Sequence, residues 1–401
     1  MTLRRVVVVG AGVAGVTAIR TLRDEGFEGE IVLVGDEPVI PYARPPLSKH
    51  ALGSGPRIEE VALLAPEDFA ALDIDFRAGT RAIALDVGAR EITTALGEVV
   101  GFDALVIATG ARARTPPWAR GVADCRVLRS FEHAQQLHAA FADTDDVLII
   151  GAGFLGTEIA ATARSLGKHV TLVDVQAFPM QQQLGAMVSQ RLAALHHEHG
   201  VQLACGTAVE RIAGDRAGVV HCASGSRFDA GMVIVAAGAE PAVEWMRGSG
   251  VDVADGVACD VHCRAAPNVF VAGDVARWPS ALFGRTVRIE HQMNAVEQAA
   301  VAARNLVGRA ERYDPVPFFW SDQYDVKIQV HGLIESSSVT RVLHGDLEAD
   351  RFVIGYFDAQ DTLRAVLGWN ATREVRRLRA GIGAHAMGPM GTDDGSRVTS
   401  S

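Results

Sequence analysis

At 401 residues, 48% of them hydrophobic, the chain has room for two or three domains with complete cores, at about 150 residues each. A formal net charge of -10 argues against partners held by non-specific phosphate attraction, so neither nucleic acid nor an anionic membrane is expected. Nor does any stretch reach the roughly 18 unbroken apolar residues that a membrane-spanning helix takes, and a soluble, cytoplasmic protein is expected.

The first element follows Arg4 and Arg5. The apolar stretch Val6 to Ile19 has the look of an export signal, but glycines at 10, 12 and 15 interrupt it where a turn needs them. It reads instead as a strand running into G-x-G-x-x-G (VVVVGAGVAG, Val6 to Gly15), then a helix to Asp24 and a second strand, IVLVGDE. ALVIATGAR, from 104 to 112, is a further apolar strand ending in glycine. Then the opening pattern returns: VLIIGAGFLG, Val147 to Gly156, leads into TEIAATARSLG and the strand VTLVDV. MVIVAAGAEP, from 232 to 241, resembles the strand at 104, and NVFVAGDVA, Asn268 to Ala276, is a strand ending in Gly-Asp. The five cysteines, at 125, 205, 222, 259 and 263, form no regular disulfide framework, and the CDVHC pair with His262 is too sparse for a metal site, so no metal is expected.

One glycine pattern is weak; two, each between a strand and a helix and each followed by an acidic strand end, are specific. Gly10 and Gly151 permit the tight turn, Gly12 and Gly153 let a pyrophosphate approach the backbone, and Gly15 and Gly156 let the helix pack on the strand. Val13, Ala14, Phe154 and Leu155 fill the variable positions, at helix starts where phosphates would sit. Asp36 and Asp174 fall 21 and 18 positions past the last glycine, where a carboxylate accepts the adenosine ribose hydroxyls. The Asp174 carboxylate would repel a 2'-phosphate, and no Lys or Arg occurs from 174 to 190, so a nicotinamide nucleotide held at this second motif is expected to be NADH rather than NADPH.

Together with NVFVAGDVA, the two motifs resemble the FAD-dependent pyridine nucleotide-disulfide oxidoreductase superfamily. That resemblance implies an α/β fold of two nested Rossmann-like dinucleotide-binding domains, glutathione-reductase-like, plus a C-terminal α+β domain. The strands near 104 and 232 then become the crossovers between the domains, the first motif the FAD site and the second the NAD site. The expected layout is an FAD-binding domain at 1–112 and 242–317, an NAD-binding domain at 113–241, a C-terminal reductase domain at 318–387, and a disordered tail at 388–401.

Within the superfamily the sequence resembles the oxygenase-coupled NADH-dependent ferredoxin reductases. The residues that carry the likeness are YARPPLSK (Tyr42 to Lys49), VLRSFEHAQQL (Val127 to Leu137), RIEHQMNAVEQA (Arg288 to Ala299), PFFWSDQYDVKIQVHG (Pro317 to Gly332) and WNATREVRRLR (Trp369 to Arg379). By position, the family implies FAD contacts at Ala14, Asp36, Arg44, Lys49, Ala82, Arg129, Asp274 and Gln292, with Asp274 on the ribityl chain. Ala108, Thr109, Gly110, Glu290 and His291 join that set, Trp320 lies near the isoalloxazine, and Ala237 and Gly238 join the NAD set. Lys49 is implied to sit beside the flavin and pair with Glu158. Relatives usually carry glutamate at the position of Asp174 and tryptophan at that of Gln292.

The implied activity is hydride transfer from NADH to FAD, then electrons passed singly to a 2Fe-2S ferredoxin that supplies a cytochrome P450 or a Rieske oxygenase. Arg373, Arg376, Arg377 and Arg379 offer a basic patch to an acidic ferredoxin. The alternatives are an NADH oxidase or a redox-signalling flavoprotein resembling apoptosis-inducing factor. A thiol relay is disfavoured, since no cysteine precedes position 125 and no C-x-x-C occurs.

Overall fold

The computed structural model describes residues 3–122, 124–213 and 218–383; the tail expected from 388 lies outside the described residues. Three sheets organise the chain. The first has the order Arg264–Ala266, Val269–Val271, Ala104–Ile107, Arg5–Val9, Glu30–Val34, Ile74–Arg77. Arg5–Val9 is central and parallel to both neighbours, with Val6 opposite Ile31 on one side and Ala104 on the other. A strand buried on both faces has no need of alternation, which is why these segments read as unbroken Val, Leu and Ile.

One face is covered by the helices Val13–Asp24 and Gln292–Leu306, whose Ala18, Ile19 and Leu22 meet Ala299, Ala302 and Ala303. The other receives a three-stranded antiparallel meander, Ala82–Asp86, Glu91–Thr94 and Val99–Gly101, through Leu85, Ile92 and Val100.

The second sheet is parallel throughout, in the order Val201–Cys205, His169–Asp174, Asp146–Ile150, Met232–Val235, Cys125–Arg126. The helix Phe154–Ser165 follows its central strand. A two-stranded antiparallel ribbon links the two sheets: Ala111–Ala113 pairs with Ala239–Pro241, Arg112 opposite Glu240. Both segments read as crossovers therefore run side by side.

The third sheet is antiparallel: Phe318–Gln323, Val326–Gly332, Leu363–Trp369, Phe352–Phe357, Val339–Gly345. Its inner face packs Ile328, Val330, Ile354 and Leu367 onto Leu184, Val188, Leu192 and Leu195 of the helix Gln181–Glu198. Each such fully buried aliphatic side chain contributes on the order of 2 kcal/mol. That helix is broken at Gly185 (φ 74°, ψ 162°), where the Tyr356 ring packs and its hydroxyl donates to the Leu184 carbonyl at 2.5 Å. Gln181 to Gln183, ahead of the break, line the space between the sheets. Among the described residues no helix is long and apolar enough to cross a membrane.

Candidate active site

The two glycine motifs form matching cradles. Gly10 adopts φ +115°, and a Cβ there would collide with the Ala108 carbonyl; Gly15 lies against the Gly10 carbonyl with no space for a side chain. Gly12 is the reverse: nothing lies within 4 Å of where its Cβ would be. Gly151, at φ +105°, and Gly156 repeat the crowding against Ala236 and Gly151, and around Gly153 only Gln183 Nε2 comes within 4 Å. Both helices start at the open glycine with no side-chain cap and no acidic residue in the first turn. Each therefore offers unpaired N–H groups and a positive dipole end to an anion, which fits the pyrophosphate of a dinucleotide.

Both cradles open into one cleft of about 1460 Å³. At its first end Asp36 is clasped by Arg81, Nε to Oδ1 and Nη2 to Oδ2, both at 2.9 Å. Beside it Glu37 accepts from the Tyr42 hydroxyl at 2.6 Å and from Arg44 at 2.9 Å, and Arg44 also donates to the Arg129 carbonyl. Burial, reinforced by Glu37, pushes the Tyr42 phenol well above its usual range. Arg129 in turn pairs with Asp274 at 2.8 Å. At the other end, Asp174 accepts from the backbone N–H groups of Ala152 at 2.5 Å and Gln176 at 2.7 Å. Beside it in the cleft wall stand the uncharged Val175, Gln176 and Thr207, the last donating its N–H to the Asp174 carbonyl at 3.0 Å.

The middle of the cleft is where the three sheets meet. Lys49 Nζ lies 2.9 Å from Glu158 Oε1, with the Glu158 side chain 9% exposed. Ser48 donates to Oε2 at 2.6 Å and Ser321 to Oε1 at 2.7 Å. Trp320 and Phe319 line the adjoining wall, and Phe319 meets Phe154 edge-on at 4.7 Å and His291 at 4.9 Å. Burial lowers the His291 pKa to about 4, against the opposing pull of Asp274, so this imidazole is neutral at pH 7. The outer side of the third sheet carries Arg373, Arg376, Arg377 and Arg379, all exposed. His331 behind them is lowered to about 4, first by burial and then by Arg379 and Arg376.

Of the residues singled out in the sequence, Gly10, Gly12, Val13, Ala14, Asp36, Arg44, Lys49, Ala82, Ala108, Thr109, Gly110, Arg129, Asp274, Glu290, His291, Gln292 and Trp320 line this cleft. So do Gly151, Gly153, Phe154, Leu155, Glu158, Asp174, Ala237 and Gly238. Gly15 and Gly156 do not; they sit behind the loops, where helix packs on strand. Glu37 and Arg81 escaped the sequence reading, and Tyr42, Ser48, Ser321 and Gln323 stood in the quoted blocks without a site role. A signal existed for two of them: Ser321 and Gln323 alternate in a strand otherwise rich in aromatics, the pattern of polar groups turned inward.

No cysteine lines the cleft among the described residues. All five are free, and burial raises every thiol, Cys125 and Cys205 to about 11 and Cys259 to about 12. The arrangement thus provides two anion cradles, a cation at their junction and no thiolate.

The family model for pyridine nucleotide-disulphide oxidoreductases matches residues 4–299, and a reductase C-terminal model matches 318–389. Rhodocoxin reductase of Rhodococcus erythropolis is 36% identical over 356 residues, 88% of this chain and 83% of the relative. Putidaredoxin reductase CamA of Pseudomonas putida is 34% identical over 397 residues, 96% of this chain and 94% of the relative. The solved covalent putidaredoxin reductase–putidaredoxin complex superposes with a TM-score of 0.89 at 35% identity, covering 94% of this chain and 92% of that one.

Proposed function

The chain belongs to the pyridine nucleotide-disulphide oxidoreductase family and, within it, to the oxygenase-coupled ferredoxin reductases, and from that premise we propose how its residues divide the work. It is an FAD-dependent NADH:ferredoxin reductase that passes electrons one at a time to a 2Fe-2S ferredoxin serving a cytochrome P450 or a Rieske-type oxygenase. The observation that carries the division is the single cleft into which both cradles open, with the Lys49–Glu158 pair at their junction.

FAD, when bound, supplies the redox chemistry, taking a hydride from NADH and giving up the two electrons singly. The protein supplies positions and charge. Gly10, Gly12 and the helix start at Val13 hold the FAD pyrophosphate, Asp36 its adenosine ribose and Asp274 its ribityl chain. Gly151, Gly153 and the helix start at Phe154 hold the nicotinamide nucleotide, with Asp174 on its ribose. Lys49 Nζ, fixed by Glu158, places a cation where negative charge grows on reduction. The neutral His291 and the ring of Trp320 shield that region from water. No general base is needed, and the absence of cysteine from the described lining speaks against a thiol relay.

We assign 1–112 with 242–317 to FAD, 113–241 to NAD and 318–387 to the reductase domain, a division supported by each unit's having one of the three sheets. The exposed arginines on the helix Thr372–Leu378 and just beyond it form the docking face for an acidic ferredoxin.

The deciding assay is NADH-driven reduction of cytochrome c by the purified holoenzyme, with and without a 2Fe-2S ferredoxin from the same organism. Reduction that depends strongly on the ferredoxin is expected. Fast oxidation of NADH by oxygen alone, indifferent to every ferredoxin, would move the protein to the oxidases.

A further inference from the structure

The polar groups around Glu158 continue well beyond the cleft. Its Oε1 accepts from Ser321 Oγ at 2.7 Å, Ser321 Oγ accepts from Gln323 Nε2 at 3.1 Å, and Gln323 Oε1 accepts from His196 Nε2 at 2.9 Å. Because the Gln323 oxygen can only accept, His196 carries its proton on Nε2; Nδ1 is then an acceptor, and the Tyr324 hydroxyl donates to it at 3.1 Å. Every donor in this series points the same way, from the partly exposed Tyr324 inward to the carboxylate. Aligned donors polarise one another.

The series lies in a buried seam: Ser321 and His196 are 0% exposed and Gln323 1%. Burial also lowers the His196 pKa to about 4, so the imidazole does not take the second proton that would reverse the direction. Gln323 Nε2 is also within 3.0 Å of Thr157 Oγ1, whose hydroxyl reaches the Gly153 carbonyl at 2.9 Å. One amide therefore touches both the carboxylate's support and the helix start behind the second cradle.

A seam of this kind is more than filler. Ser321 binds the same oxygen, Oε1, that receives Lys49 Nζ, so any shift of that oxygen moves the cation. Ser321 and Gln323 come from the third sheet, Glu158 from the second unit, and Ser48 and Lys49 from the first. Glu158 is thus the point at which the third sheet reaches the redox centre.

We propose that Ser321 and Gln323 are positioning residues that set the Lys49–Glu158 pair at the flavin, so that the C-terminal sheet tunes the redox step as well as covering it. This rests on the reading that Lys49 lies beside the isoalloxazine.

The test uses holoenzyme variants Ser321→Ala, Ser321→Thr, Gln323→Leu and Lys49→Met. Four quantities are read: the flavin midpoint potential, the single-turnover rate of flavin reduction by NADH, the NADH dissociation constant, and the melting temperature. Ser321→Ala and Gln323→Leu are expected to lower the potential and slow reduction about tenfold or more, in Ser321→Ala with NADH affinity little changed; Ser321→Thr restores both. Potential and rate at the parent values in Ser321→Ala, alongside a clear change in Lys49→Met, would overturn the proposal, even if the melting temperature fell. If Lys49→Met itself leaves potential and rate unchanged, it is the placement of Lys49 that is wrong. Should Gln323→Leu not retain FAD, Ser321→Ala, which removes a single oxygen, decides alone.

Discussion

Asp174 is the residue we propose to carry the choice of nucleotide. Its two oxygens are fixed by the N–H groups of Ala152 and Gln176, which aims the carboxylate along the strand end rather than leaving it to swing away from an unwelcome charge. Among the described residues, Val175, Gln176 and Thr207 beside it bring no positive charge to a 2'-phosphate. A like charge brought against a fixed carboxylate costs a few kcal/mol, so kcat/KM for NADH should exceed that for NADPH by at least about tenfold. Asp174→Ser should shrink the ratio mainly by improving NADPH; comparable values for both nucleotides in the parent enzyme would refute the assignment. This expectation could be drawn from the sequence because its chemistry is local: a strand end, an acid and a cation-free stretch. The support of Glu158 was not. Ser48 lies 110 residues and Ser321 163 residues from it in the chain, and only packing brings such groups within 3 Å. Asp36 shows the intermediate case, an acid found by spacing whose partner Arg81, 45 residues on, became visible only in three dimensions.

Among the elements, the short helix Thr372–Leu378 shows how one face is tied down and the other left free. Val375 is buried against Val366, and Glu374 is held by Arg351 at 2.7 Å. Arg373, Arg376 and Arg377 are exposed, with Arg379 just past the end. Positive charge in the last turn suits the helix dipole, which accounts for part of the pattern without any partner. A docking role makes a further demand: the field must be felt by the ferredoxin. Reversing Arg376 and Arg377 to Glu should slow ferredoxin reduction about tenfold at low salt, flatten its salt dependence, and leave flavin reduction by NADH unchanged. Unaltered ferredoxin kinetics across the salt range would remove this helix from the interface. The strands and glycine turns were readable from apolar runs and punctuation, whereas the break at Gly185 was not. A glycine inside a helical pattern is ambiguous until the Tyr356 ring and hydroxyl, from 171 positions away, give it a reason.

At the scale of the whole molecule, the cleft makes cofactor and stability inseparable. The residues proposed for FAD come from distant parts of the chain: Gly12 and Asp36, then Arg129, then Asp274 and Gln292, then Trp320. Much of what joins them across the cleft is polar, such as Arg129 with Asp274 and Lys49 with Glu158, and in largely buried pairs of this kind the cost of desolvation offsets much of the attraction. A ligand that touches all of these segments binds the folded chain and not the unfolded one, which stabilises by about 4 kcal/mol at a concentration a thousand times its dissociation constant. Stripping the flavin should therefore lower the melting temperature by on the order of 5 °C or more, with recovery that follows the concentration of added FAD. Limited trypsin digestion should report the same linkage, with Arg112 on the connecting ribbon and Arg114 just past it cut faster in the stripped protein than in the reloaded one. A melting temperature indifferent to FAD would mean that the three sheets hold one another without it, through the packed helix Gln181–Glu198 and the buried seam at Gln323. The cleft would then be a preformed socket, and the flavin a passenger in it rather than part of the scaffold.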